Sequence, residues 1–179
     1  MVNEAFTKIQ IEKEQPDDID GIRQVNLAAF DGSGEADVVD QLRAACPNFL
    51  SLVAKSEGSI VGHILFTPVQ IVKDAGGLIE GMGLAPMAVL PDYQGRGIGS
   101  ALVREGLRRL DSANVPFVIV LGHPSFYPRF GFERASKFNV RSSYENVPDD
   151  VFMIHIFDTD RMAGVSGTAY YQPEFDQVT

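Results

Sequence analysis

An α/β fold built on a mixed sheet is predicted by three observations. Between residues 50 and 90 the chain alternates apolar runs with turn-forming stretches at residues 56–59 and 74–77, the pattern of antiparallel hairpins. The apolar run at residues 84–90 then passes through a glycine-rich turn into a helical pattern that ends near Leu110. A second continuous apolar run, residues 115–121, follows the helix. Strand, long helix and strand in that order make a right-handed crossover between parallel strands.

Each element has its own local reason. Residues 6–11 alternate and predict a first strand with Ile9 and Ile11 inward. Pro16, Asp17 and Asp18 open a helix that either aspartate can cap. Ile19, Ile22, Leu27 and Phe30 line its inner face, and Asp31-Gly32-Ser33-Gly34 stops it. A second helix is predicted over residues 35–45, with Val38, Leu42 and Ala45 inward and Pro47 beyond its end. Residues 50–55 and 60–72 form a hairpin, in which Pro68 predicts an edge or a bulge. Residues 78–90 are extended but broken by Gly81 and Gly83. In the following helix Ile98, Leu102, Val103, Leu107 and Leu110 share a face, while Arg104, Glu105, Arg108, Arg109 and Asp111 fall mainly on the other. Residues 115–121 suit a buried strand, residues 125–129 a short helical turn, and residues 151–157 the last strand. Tyr170, Tyr171 and Phe175 predict that part of the tail packs back. The expected organisation is one domain over residues 1–179, with a core at about 6–157 and an extension at 158–179.

Composition narrows the function. The chain has 179 residues, 45% hydrophobic and 22% charged, an ordinary globular balance. Its net charge of −9 argues against general nucleic-acid binding, which needs compensating cations. A single cysteine, Cys46, excludes an internal disulfide framework and suits a reducing compartment. Nothing approaches the ~18 apolar residues of a membrane span, and the charged N-terminal stretch lacks a signal-peptide core. The expectation is a cytoplasmic protein without membrane or nucleic-acid partners. His63, His123 and His155 have no ligand spacing, so no metal is expected. Ser125 lacks the frame of a hydrolase elbow.

The turn at residues 94–99 carries the chemistry. Glycines at a helix start let a ligand approach the backbone, where the first-turn N–H groups have no helical partner. Those donors and the helix dipole favour a diphosphate. The turn lacks the Gly-Lys-Ser/Thr ending of a Walker A loop. No Gly-x-Gly-x-x-Gly frame fits, and no acidic residue lies in residues 115–121. The pattern present is Gln-x-x-Gly-x-Gly, at Gln94, Gly97 and Gly99. A glycine-rich turn with no ligand is the competing reading.

That pattern resembles the acyl-CoA pyrophosphate loop of the GNAT superfamily of N-acetyltransferases. Residues 121–132, Leu-Gly-His-Pro-Ser-Phe-Tyr-Pro-Arg-Phe-Gly-Phe, add a second likeness, to a bacterial branch of predicted N-acetyltransferases. The resemblance implies a central mixed sheet splayed around acetyl-CoA, with helices on both faces. It implies coenzyme binding by Gln94, Gly95, Arg96, Gly97, Ile98 and Gly99. It further implies pantetheine pairing with the strand through Met87, Ala88 and Val89, the backbone of Met87 and Val89 donating the bonds. The implied reaction is acetyl transfer to the primary amine of a small molecule, with Tyr127 protonating the departing thiolate. A backbone N–H at Val89 would polarise the carbonyl. Glu80 and His123 are candidates for proton handling, and Glu35 lies in the segment that commonly borders the acceptor pocket. A homodimer is common in such folds. Protein lysine or N-terminal acetylation, and a non-catalytic acyl-CoA-binding module, are the alternatives.

Overall fold

The structure is a computed structural model that describes residues 8–178. The first strand, β1, covers Ile9–Lys13; Phe6 and Thr7 of the expected strand lie outside the described residues. Two helices follow, α1 over Ile19–Ala29 and α2 over Gly34–Ala45. Then come three long antiparallel strands, β2 over Leu50–Ser56, β3 over Ser59–Lys73 and β4 over Leu78–Val89. Helix α3 covers Ile98–Ser112 and leads to β5 at Phe117–Leu121. Four shorter strands complete the set: β6 at Glu133–Arg134, β7 at Val140–Ser142, β8 at Phe152–Ile156 and β9 at Gly167–Tyr170. Among the described residues they form one sheet in the order β1-β2-β3-β4-β5-β8-β6, with β9 joined to β3 and β7.

Alternation along the strands sorts the core onto two faces. Leu52, Ala54, Ile64, Phe66 and Leu84 pack with Ile98, Leu102, Val103, Leu107 and Leu110 of α3. Val53 and Leu65 point the other way and pack with Ile22 of α1 and Val38, Val39 and Leu42 of α2. Helices therefore cover both faces, as the mixed α/β expectation requires. Gly106 belongs to the buried face of α3 as well: a Cβ there would collide with the ring of Phe66.

Several local expectations are corrected. Gly81 and Gly83 do not break β4, which runs unbroken in register with β3 from Leu78 to Leu84. They serve close packing instead. A Cβ on Gly81 would lie 2.6 Å from the Phe117 ring, and one on Gly83 2.6 Å from Val69 and Tyr171. Pro68 lies within a central strand. Pairing of β3 with β2 ends opposite Phe66 and pairing with β9 begins opposite Gln70. The Pro68 carbonyl accepts from Gln172 on that side, so its missing N–H falls at the handover between two partners. Ala45 is exposed, because Ala36, Val38, Val39 and Leu42 form the buried face of α2. Asp18 does not cap α1 with its side chain; its carboxylate accepts from the Gln15 N–H and pairs with Lys55 at 3.0 Å. The strand at residues 152–156 is followed by β9, which lies in the tail.

A buried polar chain ties the N-terminal elements together. His63 of β3 is fully buried between Asn26 of α1 and Ser51 of β2. The Asn26 amide nitrogen lies 3.1 Å from His63 Nδ1, which therefore accepts. The ring proton sits on Nε2 and faces Ser51 Oγ at 3.0 Å, and Ser51 donates onward to Glu14. Glu14 is held in turn by Arg43 at 2.5 Å. Burial, and secondarily the Arg43 charge, depress the His63 pKa to about 3.

Two predictions follow from this packing. Gly106→Val should lower unfolding free energy by roughly 1–3 kcal/mol in urea titrations, through overpacking against Phe66. Below pH 6.5 the unfolded chain protonates His63, whereas the folded chain resists until about pH 3. Stability from this group is therefore full above pH 6.5 and falls by about 1.4 kcal/mol per pH unit below it. His63→Gln should flatten the pH dependence of unfolding between pH 6.5 and 4.5; an unchanged slope would refute the assignment.

Candidate active site

The site begins where β4 and β5 part. Their parallel pairing covers only Met82–Leu84 against Val118–Val120. Beyond Leu84 the β3–β4 register slips: Phe66 faces Leu84, but Ile64 faces Met87, so Ala85 and Pro86 together oppose Leu65. This is a bulge, which bends the strand and re-aims its edge. Past the bulge β4 remains bonded to β3, since the Leu90 N–H donates to Val61 at 2.9 Å. Bonding direction alternates along an antiparallel strand, so Ala88 also faces β3. Met87 and Val89 turn their N–H and C=O groups the other way, toward the space that β5 has left.

The turn into α3 stands at the end of that free edge. The side-chain amide of Gln94 donates to the Val89 carbonyl at 3.0 Å, so Gln94 fastens the loop to the strand. Gly95 and Gly97 have φ of +72° and +81°, a region in which side chains are strained, and no atom lies within 4 Å of a Cβ built on either. Gly97 precedes the first residue of α3, and its carbonyl accepts from the Ala101 N–H at 3.0 Å. The N–H groups of Ile98, Gly99 and Ser100 precede that first helical bond and have no carbonyl within the helix to meet. The first turn carries no acidic side chain. Arg96 is exposed and lies over the Tyr93 ring at 5.3 Å. Gly99 lies beside the Met87 side chain, 3.5 Å from where a Cβ would be. An open, cation-flanked row of donors thus continues the line of the Met87 and Val89 amides.

The gap opens into a cavity of about 360 Å³. Met87 and Pro86 line one side, and Leu121, Gly122, His123 and Tyr127 the other. Tyr127 sits in the short 3₁₀ turn Tyr127–Phe130 and is 6% exposed. Its ring lies against Gly122, where a Cβ would overlap it, and packs edge-on to Phe126 and Phe132. Burial pushes its phenol up to about 12, so it stays protonated at neutral pH. His123 is exposed at the rim, and its carbonyl accepts from the Phe126 N–H at 3.0 Å.

The carboxylate candidates separate. Glu35, in the first turn of α2, lines the cavity. Glu80 does not: it is exposed and pairs with Gln70, seven residues before Met87 along β4. At ~3.3 Å per residue that is roughly 20 Å away. The unbroken length of β4 is the reason, and it removes Glu80 from the neighbourhood of Tyr127. Residues that motif reading did not assign to the site complete the wall: Phe30 at the end of α1, Tyr144, and Tyr171 and Phe175 of the tail. The aromatic content of the tail was the available signal. Among the described residues no cluster of His, Cys, Asp or Glu could hold a metal ion, and no helix is long and apolar enough to cross a membrane.

Comparisons with known proteins agree with this geometry. Residues 10–135 match the model of the acetyltransferase (GNAT) domain family. The N-acetyltransferase YhbS of Escherichia coli K12 is 34% identical over 168 residues, which span 93% of this chain and 98% of that protein. The crystal structure of E. coli YhbS in complex with CoA superposes with a TM-score of 0.88 at 32% identity, covering 97% of this chain and 94% of that one. A GNAT family acetyltransferase from Brucella melitensis in complex with acetyl-CoA gives 0.77 at 36% identity, covering 95% and 99%. A splayed strand pair opening onto an uncapped helix start, in a chain that matches these relatives almost end to end, has one family assignment: the protein belongs to the GNAT family of N-acetyltransferases.

Proposed function

We propose that the protein transfers an acetyl group from acetyl-CoA to the primary amine of a small molecule, as one N-acetyltransferase domain working in the cytoplasm. The observation that carries this is the continuous line of free backbone donors from Met87 and Val89 to the first turn of α3, with a largely apolar cavity at its other end. Gly95, Arg96, Gly97, Ile98 and Gly99 fit a diphosphate, because the turn is open, the glycine positions leave its backbone uncovered and the N–H groups supply partial positive charge. Gln94 supports that turn from the strand side. The Met87 and Val89 backbone, with Ala88 between them, fits a pantetheine arm added as one more strand. Relatives crystallised with CoA and acetyl-CoA support a coenzyme of this class.

Bound acetyl-CoA supplies an activated thioester. The chain's residues then have three tasks. The Val89 N–H donates toward the oxygen on which negative charge develops. Tyr127 gives its phenol proton to the sulfur as the C–S bond breaks and the C–N bond forms. An amine that arrives as an ammonium gives one proton to solvent at the His123 rim before it attacks, and after attack a second nitrogen proton restores Tyr127; of the two protons lost from nitrogen, one ends on sulfur and one in solvent. Glu35 is the carboxylate in reach of an incoming ammonium. The small volume of the cavity, about 360 Å³, favours a small amine over a segment of a folded protein.

Two measurements test this reading. Tyr127→Phe should reduce kcat at least about 100-fold while leaving CoA affinity, measured by calorimetry, within about twofold; undiminished turnover would exclude Tyr127 from proton transfer. Gly97→Val should raise the Kd for CoA by about tenfold or more, since it forces a β-branched side chain into a positive-φ turn beside the diphosphate donors. Unaltered CoA binding in that variant would remove the turn from the site.

A further inference from the structure

The wall of the cavity beyond Tyr127 specifies more than an amine. It is built from two distant parts of the chain. Phe30 and Glu35 come from the α1–α2 corner; Tyr171 and Phe175 come from the tail, which β9 anchors against β3. Tyr144 stacks on Tyr171 with ring centres 6.2 Å apart, and Phe175 meets Tyr171 edge-on at 5.7 Å. The result is an aromatic wall.

The charge of this wall is equally selective. Glu35 is the only carboxylate lining the cavity among the described residues, and no lysine or arginine lines it. Other acidic residues of α2 are already engaged: Asp37 pairs with Arg23 at 2.7 Å, and Asp40 with Arg23 and Arg43 at 2.6 and 2.8 Å. Among the described residues Glu35 has no ion-pair or hydrogen-bond partner. An acceptor bearing a carboxylate or phosphate would meet this negative charge with no cation to offset it. A polyamine or a hydroxyl-rich amino sugar would bury several polar groups against aromatic rings, where beyond Glu35 the Tyr171 hydroxyl, unbonded among the described residues, offers a single further partner on the tail side. The volume of about 360 Å³, shared with the thioester end, lies at the small end of ligand sites, ~300–1,000 Å³.

We infer that the acceptor is a compact monoamine with an apolar, ring-sized body and no acidic group, an arylalkylamine in class, its ammonium drawn by Glu35 and its body packed against Tyr144, Tyr171 and Phe175. This rests on the acetyl-CoA reading above and goes further by fixing the substrate class. It also makes the tail a specificity-determining part of the site.

The test uses the full chain, acetyl-CoA and four amines: 2-phenylethylamine, spermidine, kanamycin and glutamate. The expected result is a kcat/KM for 2-phenylethylamine at least tenfold above each of the others. Glu35→Gln should raise its KM about fivefold or more with CoA affinity unchanged. Phe175→Ala should shrink the preference for 2-phenylethylamine; if that variant melts prematurely, Phe30→Ala at the opposite wall is the second variant. Equal or better turnover of spermidine, kanamycin or glutamate would overturn the inference. So would CoA binding of the protein with neither turnover nor calorimetric binding of 2-phenylethylamine to the CoA-loaded form. Failure to bind CoA at all is a different result: it removes the coenzyme reading, and the acceptor assignment falls with it.

Discussion

Everything at the site depends on β4 being bonded along one edge and released along the other. From Met82 to Leu84 the strand is paired on both sides, and Gly81 and Gly83 let Phe117, Val69 and Tyr171 approach its backbone. At Ala85 and Pro86 the register slips, and β5 no longer follows. A strand edge inside a protein is ordinarily a liability, since its N–H and C=O groups need partners. Here the same exposed groups are the ones the proposed pantetheine pairing would use. The Gln94 amide holds one of those carbonyls and in doing so fixes where the helix begins. Strand edge and helix start therefore form one continuous surface, not two independent sites.

That arrangement explains how an acidic chain accommodates an anionic coenzyme. Many of the chain's carboxylates lie beside arginines, and the net charge of −9 is the excess over all its cations. Arg23 and Arg43 bridge the carboxylates of α2 and Glu14, and Glu105 is shared by Arg108 and Arg109. In the proposed site the attraction at the turn would come from backbone dipoles, which do not appear in a count of charged residues. Fixed dipoles also need no reorientation when the ligand arrives.

The parts of this protein legible in its sequence are those set by local pattern. The α3 face follows from apolar residues three and four apart, and the turn from Gly97 and Gly99 beside Gln94. Gly106 escaped the same reading because a glycine carries no hydrophobic signal, although Phe66 requires it. Glu80 enters as a candidate through the family resemblance alone, which does not say how far along β4 the cavity lies. Gly81 and Gly83 suggest an interrupted strand, whereas β4 runs straight through them; Glu80 lies on its far part, outside the cavity lining. The bulge at Ala85–Pro86, the handover at Pro68 and the aromatic wall all arise from contacts between residues far apart in the chain. Only the tail's Tyr170, Tyr171 and Phe175 hinted at that wall, and composition alone does not say what a tail packs against. Of these, Tyr171 and Phe175 line the cavity, while Tyr170 faces outward.

The handover at Pro68 has a consequence for the order of assembly. β3 exchanges one neighbour for another partway along its length, and the second neighbour, β9, comes after every other strand in chain order among the described residues. The N-terminal meander and the crossover helix can form during synthesis, since their contacts lie within residues already made. The pocket cannot: its far side is missing until residue 175 has emerged and the terminal segment has docked. In a chain made from its N-terminus, the released edge of β4 can therefore take shape before β9 and the segment behind it close the far side of the pocket.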